Sequence, residues 1–236
     1  AVGLVVLGLA LLAVRADDLL DALPRLVRGA ERVVGGRLRD AGVLALWDFD
    51  DVRPRDGVGG SGCLNDGTRL VSGRNGSARQ FLPGEHSRLR TEVPLQALGE
   101  RFSISCWLRL PESTPDQLIF QYLAVMDGKL VLLLPGQDAL AAPAPVARGR
   151  FFHVAFTVDA AAARARLYVD GAPAGELALK PLRHVGDPIV FGQEQGGAPP
   201  SFTVDEVALW SRPLAEKEIL RLSRLRWSLA VDRAFS

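Results

Sequence analysis

The stretch from Phe151 to Gly171 constrains the fold more than any other part of the chain. Apolar residues occupy every second position on both sides of a short turn: Phe152, Val154, Phe156 and Val158 before it, and Ala165, Leu167 and Val169 after it. A period of two is typical of β-strands that bury one face. The stretch therefore predicts an antiparallel hairpin lying on a hydrophobic core.

The other face of this hairpin is polar, and it carries His153, Arg164, Arg166 and Tyr168. Polar positions opposite a buried face point to solvent or to another polar surface. We interpret these four residues as a candidate interaction face, open to solvent, to a ligand or to another subunit.

Further short apolar runs separated by Gly and Pro turns extend this pattern over residues 43–222. Strands are predicted at 43–49, 77–81, 87–93, 102–110, 175–179, 187–192 and 201–210, and a hairpin with its turn at Asp127-Gly128 is predicted over 117–136. A short helix is predicted at 211–222, with Ser211 as its N-cap, and residues 57–67 and 139–149 are predicted to be connections. The sequence therefore predicts an all-β, two-sheet antiparallel sandwich with one late helix.

Residues 1–14 contain no charged side chain and predict a membrane anchor. Its apolar residues include Leu4, Val5, Val6, Leu7, Leu9, Leu11, Leu12 and Val14. As a helix the segment would rise about 21 Å, which is less than the roughly 30 Å hydrocarbon core, so we expect the anchor to be incomplete at its start. The alternatives are a cleaved signal peptide and a helix buried in the protein's own core.

Two further segments flank the sandwich. Residues 15–42 have a helical apolar period and predict an amphipathic linker, either a connecting helix or a helix lying on the bilayer or on a partner. Residues 223–236 form a tail that continues past the predicted domain.

Charge and cysteine content exclude several classes of function. The chain has 28 basic and 27 acidic residues, and this net charge of +1 argues against nucleic-acid binding. The two cysteines form no metal-binding motif. Cys106 alternates with core positions and is predicted to be a buried thiol, with a Cys63–Cys106 disulfide as the alternative.

Five segments occur in an order that resembles laminin-G-like domains of the concanavalin A-like lectin/glucanase superfamily: LWDFDD, GSARQFLPG, FSISCWLRL, FFHVAFTVD with RLYVDG, and VDEVALWSRPLAEKEI. The resemblance covers roughly residues 43–222 and implies a two-sheet jelly roll that binds carbohydrate or protein, in some members with calcium at a rim. The matching calcium positions are Asp50 and Asp205, whose carboxylates suit Ca²⁺. The alternative is that Asp50 caps a turn and Asp205 accepts backbone hydrogen bonds.

No catalytic residue is predicted. Glucanases of the superfamily carry a Glu-x-Asp-x-x-Glu strand, which this sequence lacks, and Asp205 and Glu206 are expected to point to opposite faces of their strand.

Trp47, Trp107 and Trp210 lie in predicted strands, and Trp107 is out of phase with the apolar positions around it. Core packing is the usual role of such tryptophans, and a sugar platform is the alternative.

Two functions fit these features. The first is a non-catalytic, membrane-anchored accessory or scaffolding subunit of a larger membrane assembly, respiratory or photosynthetic, that contacts integral membrane subunits and the bilayer on the periplasmic side of a bacterial inner membrane. The second is a surface-displayed carbohydrate-binding module. Neither function needs a cofactor other than the calcium that the resemblance implies.

Overall fold

The computed structural model describes residues 42–50, 62–83, 87–94, 98–113, 115–182, 188–192 and 200–224. Its strands are β1 (Val43–Trp47), β2 (Cys63–Asp66), β3 (Arg69–Ser72), β4 (Ser77–Phe81), β5 (Arg88–Pro94), β6 (Arg101–Arg109), β7 (Gln117–Phe120), β8 (Leu123–Met126), β9 (Lys129–Leu132), β10 (Leu140–Pro145), β11 (Phe151–Asp159), β12 (Arg164–Val169), β13 (Ala172–Ala178), β14 (Pro188–Phe191) and β15 (Phe202–Trp210). One helix, α1 (Glu216–Leu222), follows them.

The predicted anchor at 1–14, the predicted linker up to residue 41 and the tail from residue 225 lie outside the described residues. Within the part of the chain that the structure describes, no helix has the length and apolar character needed to cross a membrane.

The largest sheet has the strand order β13-β12-β11-β6-β15-β4-β3, and β1 also pairs with β15. Its pairings are antiparallel, and the predicted hairpin is confirmed as β11 and β12, with Asp159 opposite Arg164. Strand β11 pairs along its whole length with β6, which places the hairpin in the interior of the sheet. The alternating apolar residues of these strands therefore lie on one continuous face.

The second layer of the sandwich consists of two sheets, β10-β9-β8-β7 and β14-β5-β2, where the sequence predicted one. They meet at β7 and β14, where the Gly192 N–H donates to the Ile119 carbonyl oxygen at 3.1 Å. Beside that contact the Gln121 amide donates to the Pro188 carbonyl oxygen (2.6 Å) and accepts from the Val190 N–H (3.0 Å). The Gln121 side chain thus replaces backbone pairing where the ladder is interrupted.

A single core cluster fills the space between the two layers. It contains inward residues of the large sheet, such as Phe156 and Val204, together with residues of both smaller sheets, such as Phe120 and Leu89. A second cluster lies on the opposite face of the large sheet, where α1 packs. Its members are Val43, Ala155, Tyr168, Ala208, Trp210, Leu214, Ile219 and Leu222.

Several predictions about local structure are corrected. The run over 117–136 forms three strands, β7, β8 and β9, because the chain also turns at Gln121 and Tyr122. The predicted turn at Asp127-Gly128 is confirmed, with φ of 51° and 71°. Residues 139–149 contain β10, whose prolines are tolerated because it is an edge strand of its sheet.

Two further corrections concern the predicted connection at 57–67 and the predicted helix N-cap. The predicted connection at 57–67 contains β2, an edge strand. The predicted N-cap at Ser211 is wrong, because the helix starts after Ala215 and the Ser211 N–H and hydroxyl both donate to the Gly42 carbonyl oxygen.

Cys63 and Cys106 are both free, so the disulfide alternative is excluded. Burial raises the pKa of the Cys106 thiol to about 12.

Candidate functional site

Strand β15 changes its neighbour on one side half-way along its length. Residues 202–204 pair with β4, whereas residues 207–210 pair with β1. The pairing with β6 on the other side is bulged at the same point, between Asp205 and Ala208, and Glu206 has a φ of 48°. The bulge turns the carboxyl groups of Asp205 and Glu206 toward the gap between β4 and β1.

The turn formed by residues 73–76 fills this gap and is held by acidic side chains. Asp205 Oδ2 accepts the N–H of Arg74 at 2.8 Å and that of Asn75 at 3.3 Å, and Asp205 Oδ1 accepts the N–H of Glu206 at 2.8 Å. The Asn75 side-chain amide donates to Glu206 Oε1 at 2.6 Å. On the other side, Asp50 Oδ1 accepts the Ser77 N–H at 2.7 Å.

Glycine is required at both Gly73 and Gly76 because neighbouring atoms leave no room for a Cβ. A Cβ at Gly73 would lie 2.6 Å from Asp205 Oδ2 and 2.7 Å from the Ser77 carbonyl oxygen. Gly76 has a φ of 59°, and a Cβ there would collide with the Asp50 carboxylate. The fold therefore brings Asp50 and Asp205, the two predicted calcium ligands, to the same turn.

The geometry favours the alternative role of these two carboxylates. Asp205 is fully buried, and each of its oxygens already accepts at least one backbone N–H. Among the described residues, no three His, Cys, Asp or Glu side chains lie together in a way that could hold a metal ion. Because calcium needs six or more oxygen ligands, this donor set does not fit the ion as arranged, and calcium binding stays a prediction.

The burial of Asp205 at this turn also changes the pKa of its carboxyl group. Burial raises the pKa of the Asp205 carboxyl to about 7, and the nearby Asp50 charge acts in the same direction. The N–H groups of Arg74, Asn75 and Glu206 oppose this effect because they favour the ionised form.

A row of side chains continues from Asp205 across the large sheet, on the face opposite the main core. Asp205 is the cross-strand partner of Trp107, which in turn is the partner of His153. The Trp107 and His153 rings meet edge to face at 5.3 Å, and the Arg74 guanidinium lies 4.8 Å above Trp107. Trp107 is thus out of phase with the core residues, as its position in the sequence indicated.

His153 is only 2% exposed, and burial lowers its pKa to about 4, although the Asp170 carboxylate opposes this shift. Its Nδ1 and the Trp107 Nε1 find no hydrogen-bond partner in the structure. His153 is therefore a neutral, buried side chain at neutral pH.

The remaining residues of the candidate interaction face contact the chain itself. Tyr168 is buried in the cluster under α1. Arg166 pairs with Glu176 of β13 at 2.6 Å and with Glu216 of α1 at 3.3 Å, and Arg164 lies 3.9 Å from Glu176. Only the two arginines keep substantial exposure, so most of this face forms an internal contact between the sheet and the helix.

A surface that the sequence did not indicate lies on the three-stranded sheet. Arg90 of β5 stands between Leu64 of β2 and Val190 of β14 as their cross-strand partner. Leu64 is 60% exposed, the largest exposure of any large apolar side chain in the described residues. Its strand falls in a Gly-rich segment without apolar alternation, and this is why sequence reasoning did not find it.

Comparison with known families agrees with the fold. The family model Laminin_G_3, described as the concanavalin A-like lectin/glucanases superfamily, matches residues 83–220. The chain belongs to this superfamily. The predicted family is therefore confirmed, whereas no curated protein matches the sequence.

Similar solved structures include the binding domains of two toxins. The binding domain of Paraclostridial Mosquitocidal Protein 1 has a TM-score of 0.63 at 16% identity, covering 78% of this chain and 52% of its own. The binding domain of Botulinum neurotoxin DC, in complex with rat synaptotagmin II, has a TM-score of 0.64 at 14% identity, covering 78% and 51%. The chain thus spans about half the length of these toxin domains.

A third structure matches over nearly its whole length. Domain 4 of AbnA, a GH43 extracellular arabinanase from Geobacillus stearothermophilus, in complex with arabinotriose, has a TM-score of 0.59 at 20% identity, covering 77% of this chain and 98% of its own. At these identities the likeness shows the fold alone.

Proposed function

We propose that the chain is a non-catalytic binding domain that contacts another protein, and that it serves as an accessory or scaffolding subunit of a larger membrane assembly. The observation that carries this proposal is the composition of the described surface. Leu64, Leu70 and Met126 are its exposed large apolar side chains, whereas none of its aromatic side chains is exposed. Exposed aliphatic side chains beside charged residues favour contact with protein, while stacking on a ligand ring needs an accessible aromatic face.

The absence of catalysis is part of the proposal. The carboxyl groups that come together on β15 are both engaged, since Asp205 holds the turn at 73–76 and Glu206 accepts the Asn75 amide. Acid and nucleophile roles need two carboxylates that both face a substrate. We assign these two a structural role.

The membrane location rests on residues 1–14, whose unbroken apolar composition supports an anchor. Together with the linker at 15–42, such an anchor would hold the sandwich close to the bilayer, on the periplasmic side of a bacterial inner membrane. The complex of the neurotoxin DC domain with synaptotagmin II supports protein binding as a use of this fold.

Carbohydrate binding is the second candidate, and one observation favours it. A cleft of about 330 Å³ lies where β4, β6 and β15 meet. Gln80, Arg109, Glu112 and Thr203 contribute polar side chains to it. Its size is at the lower end of small-ligand sites, and polyol recognition needs such a set of donors and acceptors. The arabinotriose complex of the AbnA domain shows a sugar bound by a related fold.

The test is purification of the full chain, with an affinity tag, from the membranes of its source organism in mild detergent. Native mass spectrometry and chemical cross-linking should show it in a fixed ratio with integral membrane subunits. Recovery as a lone monomer from intact membranes would contradict the subunit proposal.

A glycan array probed with the same protein distinguishes the second candidate. Binding that is lost in an Arg109→Ala variant, with unchanged unfolding, would assign carbohydrate binding to the cleft.

A further inference from the structure

We propose that strand β2 and the outer face of the β14-β5-β2 sheet form a docking site for an extended, acidic segment of a partner protein. This inference rests on the proposed function and specifies the surface and the chemistry of its partner. We call the site the Leu64–Arg90 surface and define it by Leu64, Asp66, Arg88, Arg90 and Val190.

Strand β2 is an edge strand. It pairs with β5 on one side and has no hydrogen-bonded strand on the other in the described part of the chain. Asn65 and Asp66 are exposed like Leu64, so solvent reaches the strand on more than one side. Along residues 64–66 this edge is not paired with a further strand and lies beside an exposed leucine, and such an edge is a template for the addition of another strand.

Two exposed arginines, Arg88 and Arg90, lie next to Leu64 on the outer face of the sheet. Neither arginine forms an ion pair or a side-chain hydrogen bond with any of the described residues. This sets them apart from Arg101, Arg166 and Arg212, which pair with acidic residues of the domain. Asp66 is the cross-strand partner of Arg88, but the two side chains do not form an ion pair.

The apolar part of the surface lies beside these charges. Arg90 is flanked by Leu64 on one strand and by the half-buried Val190 on the other, so an apolar side chain borders the guanidinium on each side. Two residues after β2 the chain enters β3, the edge strand of the large sheet, which carries the exposed Leu70.

The exposed edge, the two arginines and the apolar side chains favour an extended acidic segment as the partner. A strand added to β2 would place alternate side chains over the outer face, where carboxylates would meet Arg88 and Arg90 and small apolar residues would cover Leu64. A second copy of the chain docked by the same surface would bring its own arginines near these ones, and like charges disfavour that contact. Asp66 and Glu92 on the same sheet weaken attraction to an anionic bilayer, whereas a peptide can avoid them by its register.

The test uses the full chain and a fluorescent peptide that alternates glutamate and valine, with a peptide that alternates lysine and valine as the charge control. Anisotropy titrations at low salt should show binding of the acidic peptide and not of the basic one. In the Arg88→Glu/Arg90→Glu variant, affinity for the acidic peptide should fall by about tenfold or more, because two opposite-charge contacts become like-charge contacts. Leu64→Ser should also weaken binding.

The chain offers a matched control pair. Met126 and Lys129 are cross-strand partners on β8 and β9 and repeat the combination of an exposed apolar side chain and a cation. The Met126→Ser/Lys129→Glu variant should bind the acidic peptide as the wild type does. Near-UV circular dichroism of each variant verifies that the sandwich is intact.

Several outcomes would overturn the inference. These are equal binding of both peptides, loss of binding in the control pair, dimerisation in sedimentation that Leu64→Ser abolishes, and charge-dependent binding to phosphatidylglycerol vesicles in place of the peptide. In the native purification, an assembly that stays intact with the Arg88→Glu/Arg90→Glu variant would refute this surface while leaving the proposed function standing. A lone wild-type monomer would refute the proposed function itself.

Discussion

Asp205 and His153 flank Trp107 on neighbouring strands, and their buried groups should respond to pH in opposite senses. Burial raises the pKa of Asp205 from 3.8 to about 7, so its contribution to stability is fully present below pH 3.8 and is lost as the pH rises to about 7. Burial lowers the pKa of His153 from 6.5 to about 4, so its contribution is present above pH 6.5 and is lost as the pH falls to about 4.

The two effects largely cancel in the wild type. Each changes the free energy of unfolding by about 1.4 kcal/mol per pH unit within its window, and the windows overlap between about pH 4 and 6.5. Over its whole window Asp205 accounts for about 4 kcal/mol and His153 for about 3 kcal/mol. The free energy of unfolding of the wild type should therefore depend little on pH where the two windows overlap. A substitution that removes one of the two groups should leave the pH dependence of the other group visible.

The assay is urea unfolding followed by tryptophan fluorescence between pH 5 and 7.5. The free energy of unfolding of the wild type minus that of Asp205→Asn should fall by about 3 kcal/mol from pH 5 to 7, because only the wild type has a carboxylic acid at position 205 and the His153 contribution cancels in the difference. The same difference for His153→Phe should rise by about 2 kcal/mol from pH 5 to 6.5. Hydrogen bonds or packing lost through a substitution would change the difference in the free energy of unfolding by the same amount at every pH. A flat difference for Asp205→Asn would refute the reasoning, because it would mean that the carboxyl is already ionised in the folded state at pH 5.

Three further predictions concern the same architecture. Gly76→Ala should destabilise the protein by about 3 kcal/mol, from left-handed strain plus the clash with Asp50, whereas Gly99→Ala, which has open space around its Cβ, should cost only about 1–2 kcal/mol; urea unfolding of both measures the difference. Gln121→Leu should cost about 1–3 kcal/mol and speed hydrogen exchange at the Val190 amide, because that N–H loses its acceptor. Replacing EGTA with calcium should leave Tm unchanged, since backbone N–H groups occupy Asp205, and a rise in Tm that Asp205→Asn removes would establish the calcium site.

The fold was predictable where alternation is strong. The hairpin of β11 and β12 and strand β6 carry apolar residues at every second position, and the structure confirms them. Strand β15 is also confirmed, although Glu206 interrupts its alternation. Strand β10 was hidden by its prolines, which normally argue against a strand but are accepted at an edge. The division of the second layer depends on Gln121, and nothing in the local pattern indicates that a side chain will replace backbone pairing.

The site was predictable only in part. The resemblance identified Asp50 and Asp205, and the structure brings both to one turn. The expectation that Asp205 and Glu206 point to opposite faces assumed a regular strand, but the bulge places both against the turn at 73–76. The reason for the bulge is the change of neighbour from β4 to β1, and this long-range feature of topology has no local signal in the sequence.

The polar face of the hairpin and the Leu64–Arg90 surface differ in what balances their charges. Alternation shows that a face lies outside the core, but it does not show what covers that face, and here α1 supplies Glu216 to Arg166 from far along the chain. Arg88 and Arg90 receive no such partner from the part of the domain that the structure describes. Since an arginine already paired within its own domain gains little from a new carboxylate, Arg88 and Arg90 of β5 are better suited than Arg166 to meet an acidic external partner.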